Sequence, residues 1–161
     1  MTLKQRIAML LHRFIPLEEK LLSAVRGVVP PGALDAFDAQ VAAINRVQRL
    51  PRWTEIDFYS MRGGKVDWSH VALFPLTTEF PLAEVRFHAG GRPYKARLTA
   101  VAGHIFDFVI VPGGREVAFL DWEGEVHAEL LENPLDAGGQ PPAEPLPDAW
   151  IEFLRAAECV D

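Results

Sequence analysis

Glu84, Arg97 and Asp107 lie in three successive segments of alternating apolar and polar residues, at positions that can fall side by side on one sheet face. An arginine between two carboxylates can clamp an anion with its planar fork while a carboxyl group gives or takes a proton. Lys95, Arg86 and His88 lie nearby, and Asp57 joins the row if the first strand pairs at that edge. Glu84, Arg97 and Asp107 are therefore the candidate ligand-binding residues. The same row has a simpler account, which the sequence favours. Opposite charges on neighbouring strands fix register on a solvated face, at a few tenths to about 1 kcal/mol per pair.

Other chemistry finds less support. The five histidines, His12, His70, His88, His104 and His127, form no local pair of the kind that starts a metal site. A site joining His104 to Asp107 would need further ligands from elsewhere in the fold, so no metal and no cofactor is expected. The glycine pairs 63–64, 90–91, 113–114 and 138–139 lack the spacing of phosphate-binding loops. The first three read as hairpin turns. Ser23, Ser60 and Ser69 lack a nucleophile-elbow context. The single cysteine, Cys159, excludes an intramolecular disulfide and a cysteine-based zinc site.

The elements that must carry the charged row are strands. Gly90-Gly91 suits a two-residue turn with positive φ at both positions, which sets Phe87 opposite Tyr94, Val85 opposite Ala96 and Ala83 opposite Leu98. Glu84 then pairs with Arg97, and Arg86 with Lys95, on the other face. A three-residue loop, Val101-Ala102-Gly103, sets Leu98 against Phe106, Ala96 against Phe108, Tyr94 against Ile110 and Arg97 against Asp107. A turn at Gly113-Gly114 brings a strand over residues 116–122 alongside, with Phe119 opposite Phe108 and Val117 opposite Ile110. Together the three turns give one continuous aromatic and aliphatic face, which a one-residue slip would scatter. The second face is charged at one end and apolar at the other, through Val109, Val111, Ala118 and Leu120. Such a face suits a partner, a second copy or a covering loop.

Upstream, apolar residues recur at helical spacing over 3–27, with a break near Pro16, and again over 33–49. Residues 54–61 alternate as a strand with Ile56 and Phe58 inward. Arg62-Gly63-Gly64-Lys65 is a turn. Pro75 and Pro81 argue against a long central strand over 66–79. Glu123-Gly124 turns into a last strand over 126–131. The reading is a single α+β domain over 1–161: a helical hairpin at 1–50, an antiparallel sheet at 54–131, a loop at 132–147 and a helix at 148–158. The N-terminal hairpin and C-terminal helix are expected on one face of a five- or six-stranded antiparallel meander.

This order of elements resembles the nuclear-transport-factor-2-like fold, whose curved sheet encloses a pocket. That resemblance implies a small enzyme or small-molecule binder with a pocket centred on Arg97, Asp107 and Glu84. A second resemblance rests on Leu146-Pro147-Asp148-Ala149-Trp150-Ile151-Glu152-Phe153-Leu154. This run is similar to a helix start, Leu-Pro-x-x-(aromatic)-x-x-Phe-Leu, found in a family of immunity and adaptor proteins. There the run precedes the sheet, whereas here it ends the chain. Neither resemblance transfers a functional residue.

The 161 residues carry a formal charge of −6. That balance argues against nucleic acid and anionic membranes as partners. The apolar run near the N-terminus is short and broken by His12-Arg13, and no stretch has the length of a membrane span. The expectation is a bacterial-type cytoplasmic module that binds a protein or ligand without catalysis, with a protein partner or second copy on the mixed sheet face.

Overall fold

The computed structural model describes residues 14–74 and 78–131. The expected loop at 132–147, the helix at 148–158 and the first turns of the N-terminal helix lie outside the described residues. Within them the architecture is α+β, with two helices and a six-stranded antiparallel sheet.

Helix α1 spans Pro16–Arg26 and α2 spans Pro31–Ala43. Proline at the first helical position costs α1 nothing, because that N–H has no intrahelical partner. Glu18 in the first turn accepts the Ile15 backbone N–H at 2.5 Å. Leu17, Leu21, Leu22 and Val25 form the buried stripe of α1, and both helices contact the sheet. On α2, the buried Gln40 holds the sheet through its amide. Its Nε2 donates to the carbonyls of Ala72 (2.9 Å) and Gly103 (3.1 Å), and its Oε1 accepts from the Ile105 N–H (2.8 Å). Glutamine can satisfy both roles at once, so the clamp buries no orphaned amide atom.

The strands are β1 (Arg46–Arg49), β2 (Glu55–Tyr59), β3 (Met61–Arg62), β4 (Lys65–Val66), β5 (Phe80–Ala89), β6 (Arg92–Val101), β7 (His104–Val111) and β8 (Trp122–Leu130). The main sheet runs β1-β2-β7-β6-β5-β8, while β3 and β4 form a small separate hairpin. Thus β5, β6 and β7 form the expected meander, the β1–β2 pair extends it beyond β7, and β8 lies against β5. Pro81 is accommodated near the start of β5, where a bulge interrupts the pairing between Pro81 and Ala83.

The β5–β6 register is the expected one, pair by pair, from Ala83↔Leu98 to Phe87↔Tyr94. Gly90 and Gly91 have φ values of 57° and 72°, as a two-residue turn of this hand requires.

Four expectations are corrected. Residues 46–49 are strand, not the end of a helix: α2 stops where Ile44 turns extended, and Val47 points inward between exposed Arg46 and Gln48. The β6–β7 loop has two residues, not three, with Val101 paired to His104 and Ala102 at φ 50°. A bulge at Phe106 follows, so Leu98 faces Phe108, Ala96 faces Ile110, and Arg97 faces Val109 instead of Asp107. A shift of two residues leaves Phe108 and Ile110 on the core face. Ile105 fills the place expected for Phe106, which is only partly buried and lies edge-on to Tyr59.

The third correction is at Gly113-Gly114, which makes no hairpin. Neither glycine has a positive φ in the turn range. A Cβ on Gly113 would lie 2.4 Å from Thr54 Cγ2 and 3.2 Å from Thr54 Cα, so this glycine permits close packing. Residues 115–119 then form a 3-10 turn, and Phe119 packs on Trp53 with ring centroids 6.0 Å apart. The fourth concerns Gly124. It lies within β8, where the pairing with β5 shifts between Arg86 and His88, and makes a bulge instead of a reversal.

The core lies between the helices and one face of the sheet. Ile56, Phe58, Phe108, Ile110, Leu98, Val85 and Phe87 are all buried there. The Phe58 and Phe108 rings meet edge to face, 5.8 Å between centroids.

Candidate functional site

The second face of the sheet carries the charged residues. Alternation places Glu84, Arg86 and His88 of β5, Lys95 and Arg97 of β6, and Asp107, Val109 and Val111 of β7 on that face. Their neighbours from β2 are Glu55 and Asp57, and from β8 they are His127 and Glu129.

Glu84 is the hub of the basic end. Its side chain is buried, and its Oε1 lies 2.9 Å from Arg86 Nε and 3.0 Å from Lys95 Nζ. Arg97 Nη2 lies 3.5 Å from the other oxygen. Burial pushes the Glu84 acid up, but hydrogen bonds and charges from Lys95 and Arg86 outweigh it and hold it below the ordinary value. Arg86 also reaches Glu129 Oε1 at 2.6 Å, and His127 Nε2 lies 3.6 Å from Glu129 Oε2. Arg86 and Lys95 are thereby held in place.

Beside this hub is a cavity of about 580 Å³, lined among others by Arg86, His88, Pro93, Lys95, Val111 and His127. Its charged lining is Arg86 and Lys95 with one carboxylate, Glu125, and Pro93 and Val111 supply apolar wall. A volume of this order suits a small molecule.

A separate acidic cluster forms where β2 meets β7. Asp57 and Asp107 are directly opposed across the strands. Carboxylate oxygens of Glu55, Asp57 and Asp107 all lie within 4.8 Å of one another. Asp57 is 5% exposed and Asp107 6%. Tyr59 donates its hydroxyl to Asp57 Oδ2 at 3.0 Å, and Thr99 hydrogen-bonds Asp107. The remaining oxygens, Asp57 Oδ1 and Asp107 Oδ1, are buried with no hydrogen-bond partner. Burial, with the negative charges of Glu55, Asp57 and Glu79, pushes the Asp107 acid up to about 6, against the hydrogen bond from Thr99. Glu55 is likewise pushed up, by burial and by Asp57.

The three residues singled out from sequence are thus divided. Glu84 and Arg97 meet, while Asp107 belongs to the acidic cluster and pairs with Thr99. Lys95 and Arg86, read as neighbours, contact Glu84 directly. His127 and Glu129 were missed because the β5–β8 pairing was not anticipated. Glu55 was missed as a ligand-type residue, although Glu55-x-Asp57 places two carboxylates on one strand face. His104 stands apart from Asp107: it stacks on Trp68 at 4.5 Å, with Nδ1 3.1 Å from the Ile105 carbonyl. Burial pushes its pKa down, against that contact.

Among the described residues no helix is long and apolar enough to cross a membrane. Comparison with known proteins matches no family model, no curated protein and no solved structure.

Proposed function

We propose that this protein is a ligand-binding module whose second sheet face takes a small anionic molecule. The reading is carried by the cavity of about 580 Å³ beside Glu84, where Arg86 and Lys95 are held by one buried carboxylate. Fixing two flexible cations before the ligand arrives reduces the ordering cost of binding. Arg86 offers a planar fork for carboxylate or phosphate, and Lys95 a compact charge. The pocket implied by the resemblance to the nuclear-transport-factor-2-like fold is retained in this proposal, but centred on Arg86, Lys95 and Glu84 and not on Asp107.

The test is titration of the purified protein with inorganic phosphate, acetate and succinate, followed by backbone amide NMR. Saturable shifts at residues 86–88, 94–95 and 127 support the reading. Lys95→Ala and Arg86→Ala should each weaken binding about tenfold, the worth of one charge-assisted hydrogen bond. No saturable binding by any of the three anions, or unchanged affinity in both variants, would overturn it.

A protein contact through the same face is the second reading. It is favoured by Val111, 58% exposed beside the charged row, and by the part-exposed Val109. Light scattering tests self-association: a dimer that Val111→Glu dissociates would support this reading over a small ligand.

A further inference from the structure

We propose that Glu55, Asp57 and Asp107 form a binding site for a hard divalent cation, of the calcium or magnesium class. The site lies on the same face as the anion pocket and does not depend on it.

The first observation is convergence. Three carboxylates from two paired strands bring ligand oxygens within 4.8 Å of one another. Oxygens bound to one calcium ion at 2.3–2.6 Å span distances up to about this value. The second observation is the pair of orphaned oxygens. Asp57 and Asp107 are each more than nine-tenths buried, and each has an Oδ1 with no partner. A buried carboxylate oxygen without a hydrogen bond forfeits its hydration with nothing in return. Here two such oxygens belong to side chains that oppose each other across the β2–β7 pair, so their charges also repel. A cation between them would satisfy both lone pairs and remove the repulsion.

The outer contacts are those of a supported ligand set. Tyr59 holds Asp57 by Oδ2, and Thr99 bonds the Asp107 carboxylate, so each aspartate is held on one side and keeps a buried Oδ1 without a hydrogen bond. Such outer hydrogen bonds orient ligating carboxylates. The donor set is oxygen alone, with no histidine or cysteine in the cluster, so it selects a hard ion over zinc or copper. Three protein oxygens leave room for water to complete the shell. Glu55, only half-buried, is the side from which an ion can enter.

The experiment uses the full chain, stripped with EDTA and dialysed, then titrated calorimetrically with Ca²⁺, Mg²⁺ and Mn²⁺ separately. Saturable one-to-one binding of at least one ion below about 1 mM is expected, with a matching rise in melting temperature by mass action. Asp57→Asn and Asp107→Asn should each weaken binding at least tenfold while retaining the circular dichroism of the parent. Asp38→Asn, on α2 and outside the cluster, should leave it unchanged. Absence of saturable binding to all three ions up to roughly 10 mM, about tenfold above the weak end of protein calcium sites, would overturn the proposal. So would binding that survives in both aspartate variants.

Discussion

Replacing Asp107 with asparagine should stabilise the ion-free protein at neutral and alkaline pH. The folded state raises the Asp107 acid from the ordinary 3.8 to about 6. The native protein therefore holds this proton more tightly than the unfolded chain between those values. Stability falls as pH rises through that window, and the full cost is carried above it. A pKa rise of this size corresponds to about 3 kcal/mol. Solvent screening and relaxation around the cluster reduce the expected gain to about 1–2 kcal/mol. Burial is the largest cause, followed by the negative charges of Glu55, Asp57 and Glu79, with Thr99 acting in the opposite direction. The assay is urea unfolding of parent and Asp107→Asn at pH 4, 6 and 8, with EDTA and 0.1 M salt (roughly one Debye length of 10 Å). The stability difference should approach zero at pH 4 and reach its maximum at pH 8. An asparagine variant that is less stable than the parent at pH 8, or a difference independent of pH, would refute the electrostatic account of the cluster.

Two further predictions concern packing and buried charge. Gly113→Ala should destabilise the protein by more than Gly91→Ala in thermal unfolding, because its new methyl meets Thr54 at 2.4 Å whereas Gly91 has open space and only a positive φ. The Gly91 change should cost about 1 kcal/mol, and Thr54→Ser should partly relieve the Gly113 variant by removing the Cγ2 contact. The buried pair formed by Glu18 and Arg49, with contacts of 2.7 Å and 3.1 Å, joins α1 to β1. Glu18→Ala should cost about 3–5 kcal/mol in chemical denaturation, while the double change Glu18→Leu with Arg49→Met should recover most of that loss.

The sequence was most informative where local chemistry determines geometry. Gly90-Gly91 demands a turn of one hand and length, so the β5–β6 register from Ala83 to Ala89 follows from it. The pairing of Glu84 with Arg97 was legible for the same reason. The β6–β7 loop was less so, because Ala102 takes a left-handed conformation that alanine rarely adopts and the bulge at Phe106 leaves no mark of its own. That error set Asp107 opposite Arg97 and hid the acidic cluster. Gly113 misled in another way: the residue type is the same, but here it serves close approach to Thr54 and not a turn. Long-range pairing of β8 with β5, and of β2 with β7, depends on tertiary packing that no local spacing encodes.

The two outer strands bear on how copies of this protein can associate. An open strand edge is a template for adding another strand, the usual route to fibrillar stacking. Among the described residues one border is the four-residue β1, with Arg46 exposed and Arg49 turned into its buried pair with Glu18. The other is β8, where Glu123, Glu125 and Glu129 accompany a bulge at Gly124. At β8 an incoming strand would meet clustered carboxylates and a backbone bent out of register, and at β1 it would find only four residues to pair with. Polymerisation by strand addition is thus opposed at both borders, and any ordered assembly is directed to the broad surfaces of the molecule.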